Sequence, residues 1–458
     1  MSTSERAPVS PSRTDPFVRM ASKLIGGPLG RHAVDPPRRR FWNPYYVTMA
    51  VAIGVLALAW FQKAPCVDGG WVDNLQYKEA CYTDIRALWG AERLNEGAVP
   101  YRDHPVEYPV LTGWFMGIWG QIGFLAEQML GVNGGALFYN LNAIALAVLG
   151  LLTVTAIHKM RYQRRPWDAM MFAAAPVMVF TAYVNWDLLA IAATAFFFLY
   201  WKRRRPLIAG LFLGLAVAAK FYPLLFAGPM LVLALRRDGF SLGRLVYTVK
   251  TLATGAIVWI LINGPVAYLW PDSWMRFFEL NSERFVDWGT GWYVLKGTWA
   301  LPQFSDVDWV NTAYFVAFLV CCLGVAALGF FAKTRPSLAQ LCFLVVAAFL
   351  LTGKVWSQQY VLWVLPLLIL ARPQWRLFLF WQVAELCYFF AFYGKMLEVS
   401  TSGSEGISEE LFLAAASFRW IALAVVCAFV VADVLRGRNV ETQDSVQLLR
   451  KGPQRLPA

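Results

Sequence analysis

The chain has 458 residues, of which 58% are hydrophobic, 16% aromatic and only 15% charged, with a mean hydropathy of +0.47. No water-soluble domain carries that much apolar surface, so the composition excludes one and leaves a polytopic membrane protein. The net charge of +12, from 41 Lys and Arg against 29 Asp and Glu, raises nucleic acid as a partner. The basic residues sit in the breaks between hydrophobic segments, however, and that placement excludes a nucleic-acid face.

A crossing takes about 20 apolar residues to pass a hydrocarbon layer about 30 Å thick. The basic breaks are Arg38-Arg39-Arg40, Arg161 to Arg165, Lys202 to Arg205, Arg236 to Arg244, Lys333 to Arg335, Arg372 to Arg376 and Arg436 to Lys451. Positive charge stays on the cytoplasmic side, so these breaks are expected there and the intervening ones outside. The pattern predicts an all-α protein with about twelve spans, near 44–62, 136–158, 167–183, 187–201, 206–220, 222–236, 246–264, 309–331, 337–353, 359–371, 376–394 and 411–435. Both termini are then cytoplasmic. Residues 1–43 and 436–458 are polar, with Pro, Ser and Arg and no apolar core, and are expected to be disordered tails. The first apolar stretch lies far from Met1 and has no small-residue cleavage site, so no cleavable signal is expected. Residues 44–435 form one membrane domain, with a first external loop at 63–133 and a second large one at 265–308.

The first loop is rich in carboxylates. Its hydrophobic stretch Tyr108 to Leu130 cannot be a full crossing, because Arg161 to Arg165 would then lie outside; it is expected to be a juxtamembrane or re-entrant helix packed on protein. Cys66 and Cys81 lie where an oxidising compartment reaches them, and a disulfide between them is one open reading. The other five cysteines fall in spans and read as small core residues. His32, His104 and His158 are far apart, so no metal site is expected.

Tyr82 to Trp89 reads as the start of a short amphipathic helix ended by Gly97, with Ile85, Leu88 and Trp89 on one face. Asp84 falls in its first turn, as a helix cap or as a general base for a hydroxyl; Asp68 and Asp73 share the loop. Val99 to Asp103 is a turn, and the prolines of His104-Pro105-Val106-Glu107-Tyr108-Pro109 force an extended path after it. Asp103 and Glu107 are there delivered to the mouth of the re-entrant helix, as ligand-binding groups or as solvated charges.

Asn185-Trp186-Asp187 is a tight external hairpin, where Asp187 caps the next span or meets ligand. Lys220, before Phe221-Tyr222-Pro223, and Lys354, before Trp356-Ser357-Gln358-Gln359-Tyr360, are isolated ammonium groups at the external ends of spans. Such groups snorkel or meet an anion, and a phosphate at the membrane surface suits both. In the second loop Arg284 can fork onto phosphate oxygens, and Trp292 is a membrane-interface anchor or a stacking platform. Glu385 and Arg419, both inside spans, are expected to pair.

Taken in order and sidedness, Asp84, Tyr101-Arg102-Asp103, Glu107-Tyr108-Pro109, Asn185-Trp186-Asp187, Lys220-Phe221-Tyr222-Pro223 and Lys354 with Ser357-Gln358-Gln359-Tyr360-Val361-Leu362-Trp363-Val364-Leu365-Pro366 resemble glycosyltransferase family 87 over about residues 42 to 436. The resemblance implies a GT-C membrane fold whose first external loop carries juxtamembrane helices. It implies an inverting transferase of the plasma membrane, with its active site on the extracytoplasmic face and Asp84 as base. The donor is a polyprenyl-phosphate sugar, mannose or alternatively arabinofuranose, and the acceptor a cell-envelope glycolipid or polysaccharide. Asp103, Glu107, Tyr108, Asp187, Lys220, Tyr222, Arg284, Trp292, Lys354, Gln358 and Gln359 are the substrate-binding candidates. No cofactor is implied. A transporter or flippase for a lipid-linked solute is the competing class.

Overall fold

Asn43 accepts hydrogen bonds from the backbone N–H groups of Tyr45 and Tyr46, and Pro44 sets the first helical φ. Helix α1 (Pro44–Lys63) therefore starts where the first apolar run starts. The computed structural model describes residues 43–160, 165–236, 240–299 and 306–438. The expected tails before Asn43 and after Arg438, and most of the Arg161 to Arg165 cluster, lie outside the described residues.

After α1 and a single helical turn, Leu75–Lys78, come α2 (Asp84–Ala91), α3 (Val110–Leu130), α4 (Gly134–Met160), α5 (Met170–Ala173), α6 (Pro176–Thr181), α7 (Asp187–Lys202), α8 (Pro206–Ala219) and α9 (Ala227–Leu235). Then follow α10 (Leu242–Leu269), α11 (Pro271–Glu283), α12 (Gly291–Trp299), α13 (Val307–Phe331), α14 (Leu338–Thr352), α15 (Val361–Ala371), α16 (Trp375–Ser400) and α17 (Glu409–Leu435). No strand forms among the described residues, and the protein is an all-α polytopic membrane protein.

Among the described residues six helices are long and apolar enough to cross a membrane: α1, α4, α10, α13, α16 and α17. The expected spans near 206–220, 222–236, 337–353 and 359–371 are shorter apolar helices. The segment near 167–183 is broken into α5 and α6, because Pro176 starts a new helix and cannot continue the old one. Pro223 likewise begins its segment as a tighter 3-10 turn, Tyr222–Phe226. Burial explains why short pieces are tolerated. In α15 every residue but Leu370 is buried, whereas the apolar window of α13 is only 6% buried and faces outward. Interrupted backbone thus lies inside the bundle, where protein rather than lipid satisfies its polar groups.

Segment α3 is helical and packs against the chain that precedes it. Gly113, Gly117, Gly120 and Gly123 recur on one face; Tyr101 and Pro100 fill the place of a Cβ at the first two, and Leu94 and Trp89 would lie 3.1 Å from a Cβ at the last two. Gln121 also donates to Gly97 O at 2.8 Å. The amphipathic helix before it ends at Ala91; Gly97 terminates a separate 3-10 turn, Leu94–Glu96, rather than α2.

The helix ends sort into two sets. At one end Lys202 Nζ donates to Met160 O at 2.7 Å, Arg236 Nη1 to Gly329 O at 2.7 Å and Arg165 to Pro373 O, while Arg372 pairs with Asp433. The basic breaks meet there. The 63–133 loop, the 185–187 hairpin and Lys220 meet at the other end. Cys66 and Cys81 are joined, which ties the end of α1 to the approach to α2. Of the five free cysteines, Cys342 is buried but Cys387 is exposed, so burial does not account for all of them. Glu385 and Arg419 do pair, with Arg419 Nε 2.7 Å from Glu385 Oε2.

Candidate active site

The first turn of α2 is pinned to the chain before α7. Thr83, in extended conformation, donates from Oγ1 to Tyr183 O at 2.6 Å, and the Asp84 N–H donates to Val184 O at 2.8 Å. With the disulfide three residues upstream, this fixes where the Asp84 carboxylate points. Its Oδ2 accepts from Asn185 Nδ2 at 2.8 Å and it also accepts from the Tyr82 hydroxyl; Asn185 Nδ2 in turn donates to the Tyr108 hydroxyl at 2.8 Å. Three separated motifs therefore close on one carboxylate. Loss of water raises the Asp84 carboxyl above its ordinary value, and nearby Glu107 adds to that; the hydrogen bonds from Asn185 and Tyr82 and the charge of Lys220 oppose it.

Helix α8 ends at Lys220, whose extended backbone turns its side chain into the same space. The ammonium lies 3.5 Å from Asp187 Oδ1, 5.2 Å from the Tyr108 ring centre and 6.0 Å from that of Tyr360. Asp187, fully buried at the start of α7, accepts from Trp363 Nε1 at 2.6 Å. It does not line the cavity; where a helix cap or a ligand contact was expected, its carboxylate meets Lys220 and Trp363. Tyr222, Trp363 and Tyr360 stack in sequence, with centroids 4.8 and 3.8 Å apart.

The opposite wall comes from the chain after α11 and the chain before α15. Asp287 accepts from the N–H groups of Trp288 at 2.9 Å and Trp356 at 3.3 Å, and burial raises its carboxyl. Arg284 sits beside it. Together these elements enclose a cavity of about 650 Å³ with Asp84, Glu107, Lys220 and Arg284 on its wall and Phe221, Leu224, Leu225 and Phe349 along an apolar side. That volume is in the range of ligand sites, about 300–1,000 Å³.

Of the residues expected from sequence, the cavity brings together Asp84, Glu107, Tyr108, Lys220, Tyr222, Arg284, Gln358 and Gln359. Four are elsewhere, Asp187 behind the wall and three others away from it. Asp103 is exposed and forked by Arg102, with Oδ2 also accepting from Val99 N–H at 2.9 Å, because the Val99 to His104 turn closes on itself. Lys354 donates from Nζ to Ser282 O at 2.8 Å behind Arg284, so the two isolated lysines do not share one anion. Trp292 donates to Thr352 O at 2.6 Å and packs edge-on to Trp309, a seat between helices. Asp68 and Asp73 are exposed and line none of the cavity.

Asn185, Tyr82, Asp287 and Tyr393 also line the cavity, although none of them was among the base or substrate-binding candidates. Asn185 carried a signal, its place beside Asp187 in a tight hairpin. Tyr393 carried none, being one aromatic among many along α16. Asp103→Asn is expected to leave stability within about 0.5 kcal/mol of wild type and turnover unaltered; thermal unfolding and an activity assay check both.

A family model described as glycosyltransferase family 87 matches residues 108–355, more than half of the chain. No curated protein matches it.

Proposed function

The chain belongs to glycosyltransferase family 87, and from that membership we propose that it transfers mannose from a polyprenyl-phosphate donor to a cell-envelope glycolipid or polysaccharide on the extracytoplasmic face. The observation that carries this reading is one cavity holding a hydrogen-bonded carboxylate, two cations and an apolar side. The apolar side takes the start of an isoprenoid chain. Lys220 and Arg284 take its phosphate. Asp84 removes the proton from an acceptor hydroxyl as that oxygen attacks the anomeric carbon. The bond from that carbon to the phosphate oxygen breaks as the new one forms, inverting the centre, and the electron pair leaves with the lipid phosphate. Cations set in place beforehand stabilise the charge growing on the leaving group. Glu107, Gln358 and Gln359 orient sugar hydroxyls, and Asp187 positions Lys220. An arabinofuranose donor fits the same groups. The sorting of basic breaks to the far end supports an extracytoplasmic cavity and cytoplasmic termini.

Protein purified into lipid nanodiscs and given radiolabelled polyprenyl-phosphate mannose, or separately the arabinofuranose donor, is expected to move label to acceptor with one of them. Solute movement in vesicles with no new glycosidic bond would instead identify a transporter. The pH profile has a definite sign. A base must be ionised and the Asp84 carboxyl lies above the ordinary value of about 4, so transfer rises with pH through that raised value. Stability runs the other way: the folded state holds this proton more tightly than the unfolded chain, so the Asp84 contribution falls as pH rises through the same window. A rate independent of pH on the acid side would remove Asp84 from the base role.

A further inference from the structure

Helix α2 has a second cavity on its other side. Asp84 faces the main cavity, while Arg86, Trp89 and Gly90 of the same helix line a separate cleft of about 620 Å³ with Trp71, Asn95, Gln128 and the Glu127 carboxylate, whose charge acts on Arg86. Nothing in the transfer step uses it. Its central group is held rigidly: Arg86 Nε donates to Val67 O at 3.0 Å and Nη2 to Asp68 O at 3.1 Å. A Cβ at Gly69 or at Gly135 would run into the guanidinium, so two glycines leave the room in which it lies. Its Nη1 has no hydrogen-bond partner among the described residues. Trp71 is fixed as well, donating from Nε1 to Cys66 O at 3.0 Å with its ring 5.3 Å from that of Tyr82. Since Tyr82 donates to Asp84, the two cavities share a wall two side chains thick.

A fixed planar cation, a half-exposed indole, the amides of Asn95 and Gln128 and the Glu127 carboxylate, which accepts from hydroxyls, suit a ligand with no net charge, many hydroxyls and flat apolar faces. A lipid tail finds little there, because the cleft is mostly polar. We propose that this cleft is a secondary saccharide subsite, holding a remote stretch of the glycan whose terminal hydroxyl is presented to Asp84. The proposal rests on the transferase reading for the identity of that glycan. It makes the protein prefer long acceptors over short ones.

The test separates binding from turnover. Full-length Asp84→Asn protein in nanodiscs is titrated with manno- and arabinofurano-oligosaccharides of increasing length, read by saturation-transfer NMR. The Asn95→Ala/Gln128→Ala pair, on exposed side chains that do not line the main cavity, is expected to weaken long-chain binding about tenfold, and Arg86→Lys does the same by losing the Nη1 group that the backbone carbonyls leave open. In the protein with Asp84 intact, the same pair raises KM for long acceptors and leaves short-acceptor turnover unchanged. Equal effects on long and short acceptors, or long-chain binding as tight as in the unsubstituted cleft, overturn the subsite. Failure of the wild-type protein to transfer any sugar, with long-chain binding intact and lost in the pair, refutes the transferase reading and supports the cleft.

Discussion

Asp84→Asn is expected to reduce sugar transfer by roughly 10²–10⁴-fold, the contribution of a positioned general base, while the protein folds normally. The amide is nearly the same shape and still accepts one of the hydrogen bonds that Asn185 and Tyr82 donate. It also removes a carboxylate that burial disfavours, so the midpoint of thermal unfolding at neutral pH is expected to stay level or rise. Loss of activity without loss of stability is therefore the signature to look for. Glu107, on the same wall, is the control: Glu107→Gln is expected to raise acceptor KM more than it lowers kcat. Near-normal turnover in the Asp84 variant, with a dead Glu107 variant, would transfer the base role to Glu107.

Arg419→Met is expected to cost about 3–5 kcal/mol of stability, as when one member of a buried pair is removed. The guanidinium is fully buried; besides Glu385, it donates to the carbonyls of Trp356 at 2.9 Å and Ser357 at 3.1 Å, and it stacks 4.1 and 4.2 Å from the ring centres of Trp356 and Tyr388. Those carbonyls belong to the segment that carries Gln358 and Gln359 to the cavity. Donor KM is accordingly expected to rise together with the loss of stability. The double substitution Arg419→Met/Glu385→Leu separates the two effects, because it removes the orphaned acid but not the orphaned carbonyls. It is expected to recover much of the stability and little of the activity, as read by thermal unfolding and by transfer kinetics. A double variant no more stable than Arg419→Met would show that the ion pair is not what holds α16 to α17.

The sequence by itself determined the class and most of the element boundaries, because both follow from local quantities. Apolar run length decides what enters a bilayer, and basic breaks decide which ends meet: Lys202, Arg236 and Arg372 do gather at one end. Pairing of Glu385 with Arg419 was legible for the same reason, since an unpaired charge inside a span is too costly to keep. Asp84 and Arg284 stood out in the external loops and Lys220 at a span end, and the cavity unites them.

Only the tertiary structure decided what each of those polar groups is spent on. Asp103 and Glu107 are four residues apart in the same carboxylate-rich stretch, yet a turn that closes on itself leaves one on the surface with Arg102 and the other on the cavity wall. Lys220 and Lys354 look alike in sequence, but the first reaches the cavity and the second is satisfied by Ser282 O behind Arg284. Asp187 turns inward to Trp363, 176 positions away in the chain. A hydrogen bond a few ångströms long depends on partners brought by distant segments, and no periodicity or spacing within one segment encodes which partner arrives.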